Sequence, residues 1–145
     1  MKILFISGPN INLTGTREVE VYGETSYENM MQKVTGLLTK QGVEIEFFQS
    51  NHEGDIVDKI QSAQDIADGI VINPGAYTHT SVAIRDALIA TGVLAVEVHI
   101  SNVYAREEFR KASMIEDVVR GKICGFGWYS YYLGALALMN AIKGT

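Results

Sequence analysis

Two continuous apolar runs, each followed at once by a cluster of polar residues, constrain this chain more than any other feature. The first run covers residues 69–72 and leads into 73–81, and the second covers 93–98 and leads into 99–102. A continuous run of valine, isoleucine and leucine is typical of a parallel strand that is covered on both faces. In open α/β sheets, ligands bind in the crevice outside the carboxyl ends of such strands. The pattern therefore predicts a site where these two strands end.

Strand-type and helix-type patterns alternate along the chain, which predicts βαβ units and a parallel sheet. The predicted strands are residues 2–7, 43–48, 69–72, 93–98 and 122–125. Helices are predicted from a Ser26 cap to about Lys40 before Gly42, from Asn51 to about Gln64, from Thr80 or Ser81 to Gly92, near 115–119, and over 129–142. Together they predict a single flavodoxin-like α/β domain over residues 1–145. Its five-stranded parallel sheet is doubly wound in order 2-1-3-4-5, with helices on both faces.

Charge and hydropathy limit the partners. The net charge of −5 comes with no stripe of lysine and arginine, which argues against nucleic acid. No stretch approaches the roughly 20 apolar residues of a membrane span, and the apolar run at 2–7 is too short for a signal peptide. We therefore expect a cytoplasmic protein whose partner is a small molecule, with an anionic ligand held by a few local arginines.

The long polar loop after the first strand, residues 8–23, leaves two interpretations open. It has no glycine-rich nucleotide motif, but flavodoxin-like folds use this loop for phosphate, so a non-catalytic module that binds FMN or a phosphate ligand remains an alternative. Arg17 and Tyr22 are either a solvated arginine and a packed tyrosine, or a tyrosine base and its activator. Ionising a phenol at pH 7 costs roughly 4 kcal/mol. A guanidinium within about 4–6 Å typically shifts a pKa by 1–3 units, which recovers much of that cost.

The clusters after the third and fourth strands contain side chains suited to a polyhydroxylated ligand. Asn73, His79 and Ser81 follow the third strand, and His99 ends the fourth. Glu97 lies two residues before His99, so both side chains share one face of the strand. The carboxylate is then able to fix the imidazole tautomer and raise its basicity, which suits a general acid.

Rival interpretations of these residues are less well supported. Three histidines with Glu53 and Glu97 offer metal ligands, but the chain lacks H-x-x-x-H, H-E-x-x-H and C-x-x-C spacings, so we predict no metal. A serine triad lacks its G-x-S-x-G elbow. Arg106 and Arg110 are four residues apart, which predicts one side of a helical turn. They form either a carboxylate clamp or, with the glutamates between them, a surface salt-bridged turn.

These residues together resemble the type II 3-dehydroquinate dehydratases. The resemblance is collinear over essentially the whole chain and rests on residues 8–13, 15–18, 22–23, 49–54, 72–81, 85–87, 96–102 and 124–127. Thr14 replaces a residue that is usually apolar in the family, and Val19 replaces a common proline. Tyr104 and Trp128 fall at less fixed positions, and no departure removes a chemical group.

The resemblance implies a flavodoxin-like fold and the trans dehydration of 3-dehydroquinate to 3-dehydroshikimate in the shikimate pathway. It implies no cofactor, no metal and no Schiff base. It further implies that Tyr22 removes the proton from carbon 2, that Arg17 favours the phenolate, and that Asn10 helps to hold a water at the oxyanion of an enolate. His99, supported by Glu97, then protonates the departing hydroxyl at carbon 1.

The remaining implied roles concern binding and assembly. The substrate is bound by Asn73, His79, Ile100, Ser101 and Arg110, with Arg106 closing from the lid side. Asp86 is implied to approach the site of a neighbouring subunit, in a dodecamer built from trimers.

Overall fold

The computed structural model describes residues 1–16, 18–22 and 25–144, without the side chain of Tyr22. Its centre is a parallel sheet in the order β2-β1-β3-β4-β5, which confirms the predicted topology. The strands are β1 (Lys2–Ser7), β2 (Glu44–Gln49), β3 (Gly69–Asn73), β4 (Ala95–His99) and β5 (Lys122–Cys124).

Helices cover both faces of the sheet, as predicted. They are α1 (Val19–Tyr22), α2 (Tyr27–Thr39), α3 (Glu53–Ile66), α4 (Val82–Thr91) and α5 (Tyr129–Lys143). Side chains alternate between the two faces along each strand. Phe5 of β1 therefore packs in one core with residues of α2 and α5, whereas Leu4 and Ile6 pack in a second core with α3 and α4.

The predicted start and stop signals of two helices are confirmed. The backbone amide of Asn29 donates to Ser26 Oγ at the start of α2, and that of Ile84 donates to Ser81 Oγ at the start of α4. Gly42 and Gly92 follow these helices with φ of 74° and 64°. Glycine adopts this left-handed conformation without steric cost, so it ends a helix cleanly.

Two local predictions are wrong. Asn51 does not open α3, because its side-chain oxygen accepts from the backbone amide of Asn10, and the helix begins at Glu53. Residues 115–119 form turns rather than a helix. The backbone amides of Val118 and Val119 both donate to the carbonyl of Ile115. The backbone amide of Arg120 donates to the carbonyl of Ala95 in β4, and this bond leads the chain into β5.

Within the described ranges, no helix combines the length and apolar character that crossing a bilayer requires.

Candidate active site

A cavity of about 180 Å³ opens at the carboxyl ends of the central strands. Its walls come from the loops after β1, β3 and β4, the three loops that the predicted topology brings together. Eight of the predicted site residues line it: Asn10, Asn73, His79, His99, Ile100, Ser101, Arg106 and Arg110.

The end of β4 provides a buried acid–base pair. Glu97 has no exposed surface and His99 is 6% exposed. Nε2 of His99 lies 2.7 Å from Oε1 of Glu97. Because an ionised carboxylate only accepts, Nε2 carries a proton, and Nδ1 is the ring nitrogen left for a ligand.

Hydroxyl groups complete the environment of this carboxylate. Thr78 Oγ1 donates to Oε1 of Glu97, and Ser113 Oγ lies 3.0 and 2.9 Å from its two oxygens. Burial raises the pKa of Glu97, but the hydrogen bond and positive charge of His99 and the two hydroxyls together hold that pKa below its usual value. Glu97 is therefore an anion at neutral pH.

His79 is held in one tautomer on another wall of the cavity. Its Nδ1 lies 2.7 Å from the backbone carbonyl of Ala112, which accepts only, so Nδ1 carries the proton. Burial lowers the pKa of His79, and the positive charges of His99 and Arg110 add to this effect. The neutral ring is an acceptor at Nε2.

Asn73 forms the floor and is only 2% exposed. Its Nδ2 donates to the hydroxyl of Tyr131 at 2.9 Å, and its Oδ1 accepts from the backbone amide of Gly75 at 3.1 Å. Tyr131 in turn bonds to Ser7 Oγ at 3.1 Å. These contacts fix the amide orientation, with one proton of Nδ2 left for a ligand.

The segment after β4 contributes positively charged side chains to the cavity wall. Arg106 and Arg110 flank Glu107 in the chain, and Nε of Arg110 bonds to Oε2 of Glu107 at 2.7 Å. The prediction of one helical turn is wrong, because two separate 3-10 turns, Val103–Ala105 and Glu108–Arg110, occupy this segment. Both arginines nevertheless line the cavity. The salt-bridged segment therefore also gives this wall of the cavity its positively charged side chains.

Asn10 reaches the cavity from the loop after β1. It has φ of 67°, in the left-handed region that asparagine tolerates better than most residues. Its backbone amide donates to Asn51 Oδ1 at 3.0 Å, which ties this loop to the start of α3.

Other predicted residues are not brought to the cavity. Asp86 lies exposed on α4 and is not part of the lining, and Ser81 is occupied as the cap of α4. Arg17 and the side chain of Tyr22 fall outside the described residues, so their predicted roles stay predictions. In the described part of the chain, no three His, Cys, Asp or Glu side chains group closely enough to hold a metal ion.

Sequence reasoning missed several residues that shape the site. Pro9, Ile11, Gly75, Ala76 and Val103 complete the lining. Thr78 belongs to the polar cluster after the third strand, and that position was its only signal. Ser113 lies in a segment without helix or strand periodicity, so nothing in the sequence pointed to it.

Comparisons with known proteins match nearly the whole chain to one family. The family model described as dehydroquinase class II matches residues 1–139. The 3-dehydroquinate dehydratase of Geotalea daltonii is 53% identical over 143 residues, covering 99% of each chain. That of Clostridium acetobutylicum is 51% identical with the same coverage. The crystal structure of type II dehydroquinase from Butyrivibrio crossotus matches with a TM-score of 0.94 at 50% identity, covering 96% of this chain and 97% of that one.

Proposed function

The chain belongs to the dehydroquinase class II family, and from that premise we propose that it eliminates water from 3-dehydroquinate to give 3-dehydroshikimate. It is a hydro-lyase of the shikimate pathway. The observation that carries the proposal is the buried Glu97–His99 pair, which opens onto a cavity with two arginines in its wall. The alternative, a module that binds FMN or a phosphate ligand without catalysis, is not favoured.

The first step is removal of the proton from carbon 2, beside the ketone at carbon 3. We assign this step to the phenolate of Tyr22, with Arg17 favouring its ionisation; both assignments rest on the family resemblance. The electron pair of the broken C–H bond moves into the ring and gives an enolate whose charge lies on the ketone oxygen. Asn10, which lines the cavity, is assigned to hold a water at that oxygen.

The second step is departure of the hydroxyl at carbon 1. The ketone at carbon 3 re-forms, the electron pair between carbons 2 and 3 becomes a double bond between carbons 1 and 2, and the C–O bond at carbon 1 breaks. Hydroxide is a poor leaving group, so a proton must reach the oxygen as the bond breaks. We assign that transfer to Nδ1 of His99. The bond between Nε2 and Glu97 at 2.7 Å supports this, because an adjacent carboxylate stabilises the imidazolium.

Substrate binding follows from the remaining lining residues. We propose that Arg110 and Arg106 neutralise the carboxylate of the substrate. Neutral His79 accepts from a substrate hydroxyl at Nε2, and Asn73 donates through its remaining amide proton. The backbone at Ile100 and the hydroxyl of Ser101 complete the polar contacts.

Assembly and location are further parts of the proposal. The outer face of α4 carries Asp86 between Val82, which is 50% exposed, and Ile89, which is 55% exposed. The exposure of these apolar side chains supports a contact that would bury them and in which Asp86 approaches the site of a neighbouring subunit. We propose a dodecamer built from trimers, located in the cytoplasm.

The direct test is incubation of the purified protein with 3-dehydroquinate while the ultraviolet band of the conjugated enone product is followed. We expect the band to grow, and to grow equally after exhaustive chelation or borohydride treatment with substrate. His99→Ala should remove it. His52→Ala, which changes an exposed histidine outside the cavity lining, is the matched control and should keep it. A wild-type protein that forms no enone would contradict the proposed function.

A further inference from the structure

One short segment, residues 112–114, fixes both histidines of the cavity although it does not line the cavity itself. The carbonyl of Ala112 accepts from Nδ1 of His79 at 2.7 Å. Ser113 Oγ bonds to the carboxylate of Glu97 at 3.0 and 2.9 Å, and Glu97 holds His99. None of the three residues of the segment is part of the cavity lining. The segment therefore acts on the cavity only through other side chains.

The segment is itself anchored by two backbone amides. That of Met114 donates to the carbonyl of Thr78 at 2.7 Å. That of Ile115, a residue with no exposed surface, donates to Ser113 Oγ at 3.2 Å. Because the oxygen of Ser113 accepts this bond, its single hydroxyl proton is directed to the carboxylate of Glu97.

We propose that Ser113 is a positioning residue for the dehydration, and that it keeps the carboxylate of Glu97 aimed at Nε2 of His99 so that Nδ1 is presented to the substrate. This inference rests on the proposed function, because Ser113 acts on the reaction only through Glu97 and His99. Thr78, the second hydroxyl on the same carboxylate, cannot replace it fully, since it bonds to Oε1 alone whereas Ser113 reaches both oxygens.

The charges around Glu97 determine how a change at Ser113 would appear. His99 lies on the same strand, Lys122 is its register partner on β5, and Lys122 is also paired with Glu116 at 3.1 Å. Burial raises the pKa of Glu97, and the bonds from His99, Thr78 and Ser113 lower it. Loss of the Ser113 hydroxyl removes one lowering contribution and raises this pKa. Because His99 and Thr78 still bond to the carboxylate, the change should appear as lost orientation of His99 rather than as lost charge on Glu97.

The test is measurement of kcat, KM and carbon 2 proton exchange for the wild type and three variants. For Ser113→Ala we expect kcat to fall about tenfold, the effect of losing one hydrogen bond to a charged group. KM should be nearly unchanged, and exchange of the carbon 2 proton with deuterated solvent should be retained, because Ser113 acts only on the second step. Ser113→Thr keeps a hydroxyl and should restore kcat. Ser62→Ala is the control, because this half-buried hydroxyl on α3 bonds to the carbonyl of Lys59, away from the cavity. It should leave kcat and KM unchanged.

Ser113→Cys provides a second test in case the alanine variant does not fold. A thiol is a weak donor of similar size, so kcat should again fall while KM stays nearly unchanged. Wild-type kcat in a folded Ser113→Ala or Ser113→Cys variant, a loss confined to KM, or loss of carbon 2 exchange together with dehydration would overturn the role of Ser113 and leave the proposed function intact. A wild-type protein that makes no enone would instead overturn the proposed function.

Discussion

At the scale of single residues, the chemistry of the cavity depends most on Glu97. This carboxylate has no exposed surface, and a buried charge is tolerated only where it is paired and hydrogen-bonded. Two hydroxyls and an imidazole meet that requirement. The same contacts leave Glu97 no freedom to turn, so the orientation of His99 is fixed before any substrate arrives.

Glu97→Gln should lower kcat about 10- to 100-fold, with a much smaller change in KM. The hydroxyls of Thr78 and Ser113 both donate, so they will hold the amide oxygen and turn its NH₂ towards Nε2 of His99. That nitrogen must then accept, which disfavours the imidazolium needed as the acid. Steady-state kinetics with 3-dehydroquinate provide the measurement.

Glu46→Gln is the matched control for this change. Glu46 is a partly exposed carboxylate on β2 that pairs with Lys2 and Lys59, away from the cavity. The Glu46→Gln variant should retain wild-type kcat, since exposed ion pairs contribute little to stability. Wild-type kcat in Glu97→Gln as well would mean that His99 does not need the carboxylate.

At the scale of elements, the loops after β1 and β3 are locked together at Gly8. Its backbone amide donates to the carbonyl of Asn73 at 2.8 Å. A Cβ at this position would lie 2.1 Å from the carbonyl oxygen of Pro74, closer than any real contact. Only glycine allows these two loops of the chain to approach so closely. The approach brings Asn10 and Asn73 to one cavity.

Gly8→Ala should therefore destabilise the fold by about 1–3 kcal/mol, because backbone must move to make room. Gly36→Ala is the control, since a Cβ there meets nothing within 4 Å in the interior of α2. Alanine in a helix interior is about 0.5–1 kcal/mol more favourable than glycine. Urea unfolding should move in opposite directions for the two variants, and a neutral Gly8→Ala would refute the close approach.

The sequence predicts elements well where one local signal determines them. Continuous apolar runs mark β1, β3 and β4, serines cap α2 and α4, and right-handed crossovers leave few sheet orders. Because parallel strands end at one edge, the positions of His99 and Asn73 in the chain are enough to place them at one site.

Prediction fails where a bond between distant segments decides the outcome. Asn51 has the residue type of a helix cap, but its side chain bonds to Asn10 instead. Arg106 and Arg110 have helical spacing, but the segment that carries them forms two short 3-10 turns. Ser113 contacts Glu97 through tertiary structure alone, and no periodic pattern could have revealed it.

At the scale of the whole molecule, the half-buried His79 and the buried Glu97 couple folding to pH. Burial lowers the pKa of His79 below its ordinary 6.5, so the unfolded chain binds this proton more readily than the folded one. The pKa of Glu97 is likewise held below its ordinary 4.5. Both groups act in the same direction, so each favours the folded state fully above its ordinary pKa and less as the pH falls.

Stability should therefore fall as the pH drops below about 6.5, and fall further below about 4.5. Urea midpoints across this range provide the measurement. His79→Gln, which cannot titrate, should flatten the first decline and keep the second. A stability that rises on mild acidification would contradict the lowered pKa of His79 in the folded chain.

The central claim is that Tyr22 and His99 act in two separate steps, and comparison of proton exchange with dehydration tests it most directly. Tyr22→Phe and His99→Ala would each be incubated with 3-dehydroquinate in deuterated water, with carbon 2 exchange followed by NMR and enone formation by ultraviolet absorbance. Tyr22→Phe should lose both exchange and dehydration, because no base remains. His99→Ala should lose dehydration yet retain some exchange, because the enolate still forms. Retained exchange in Tyr22→Phe would contradict the assignment of Tyr22 as the base and make His99 the leading candidate for that role.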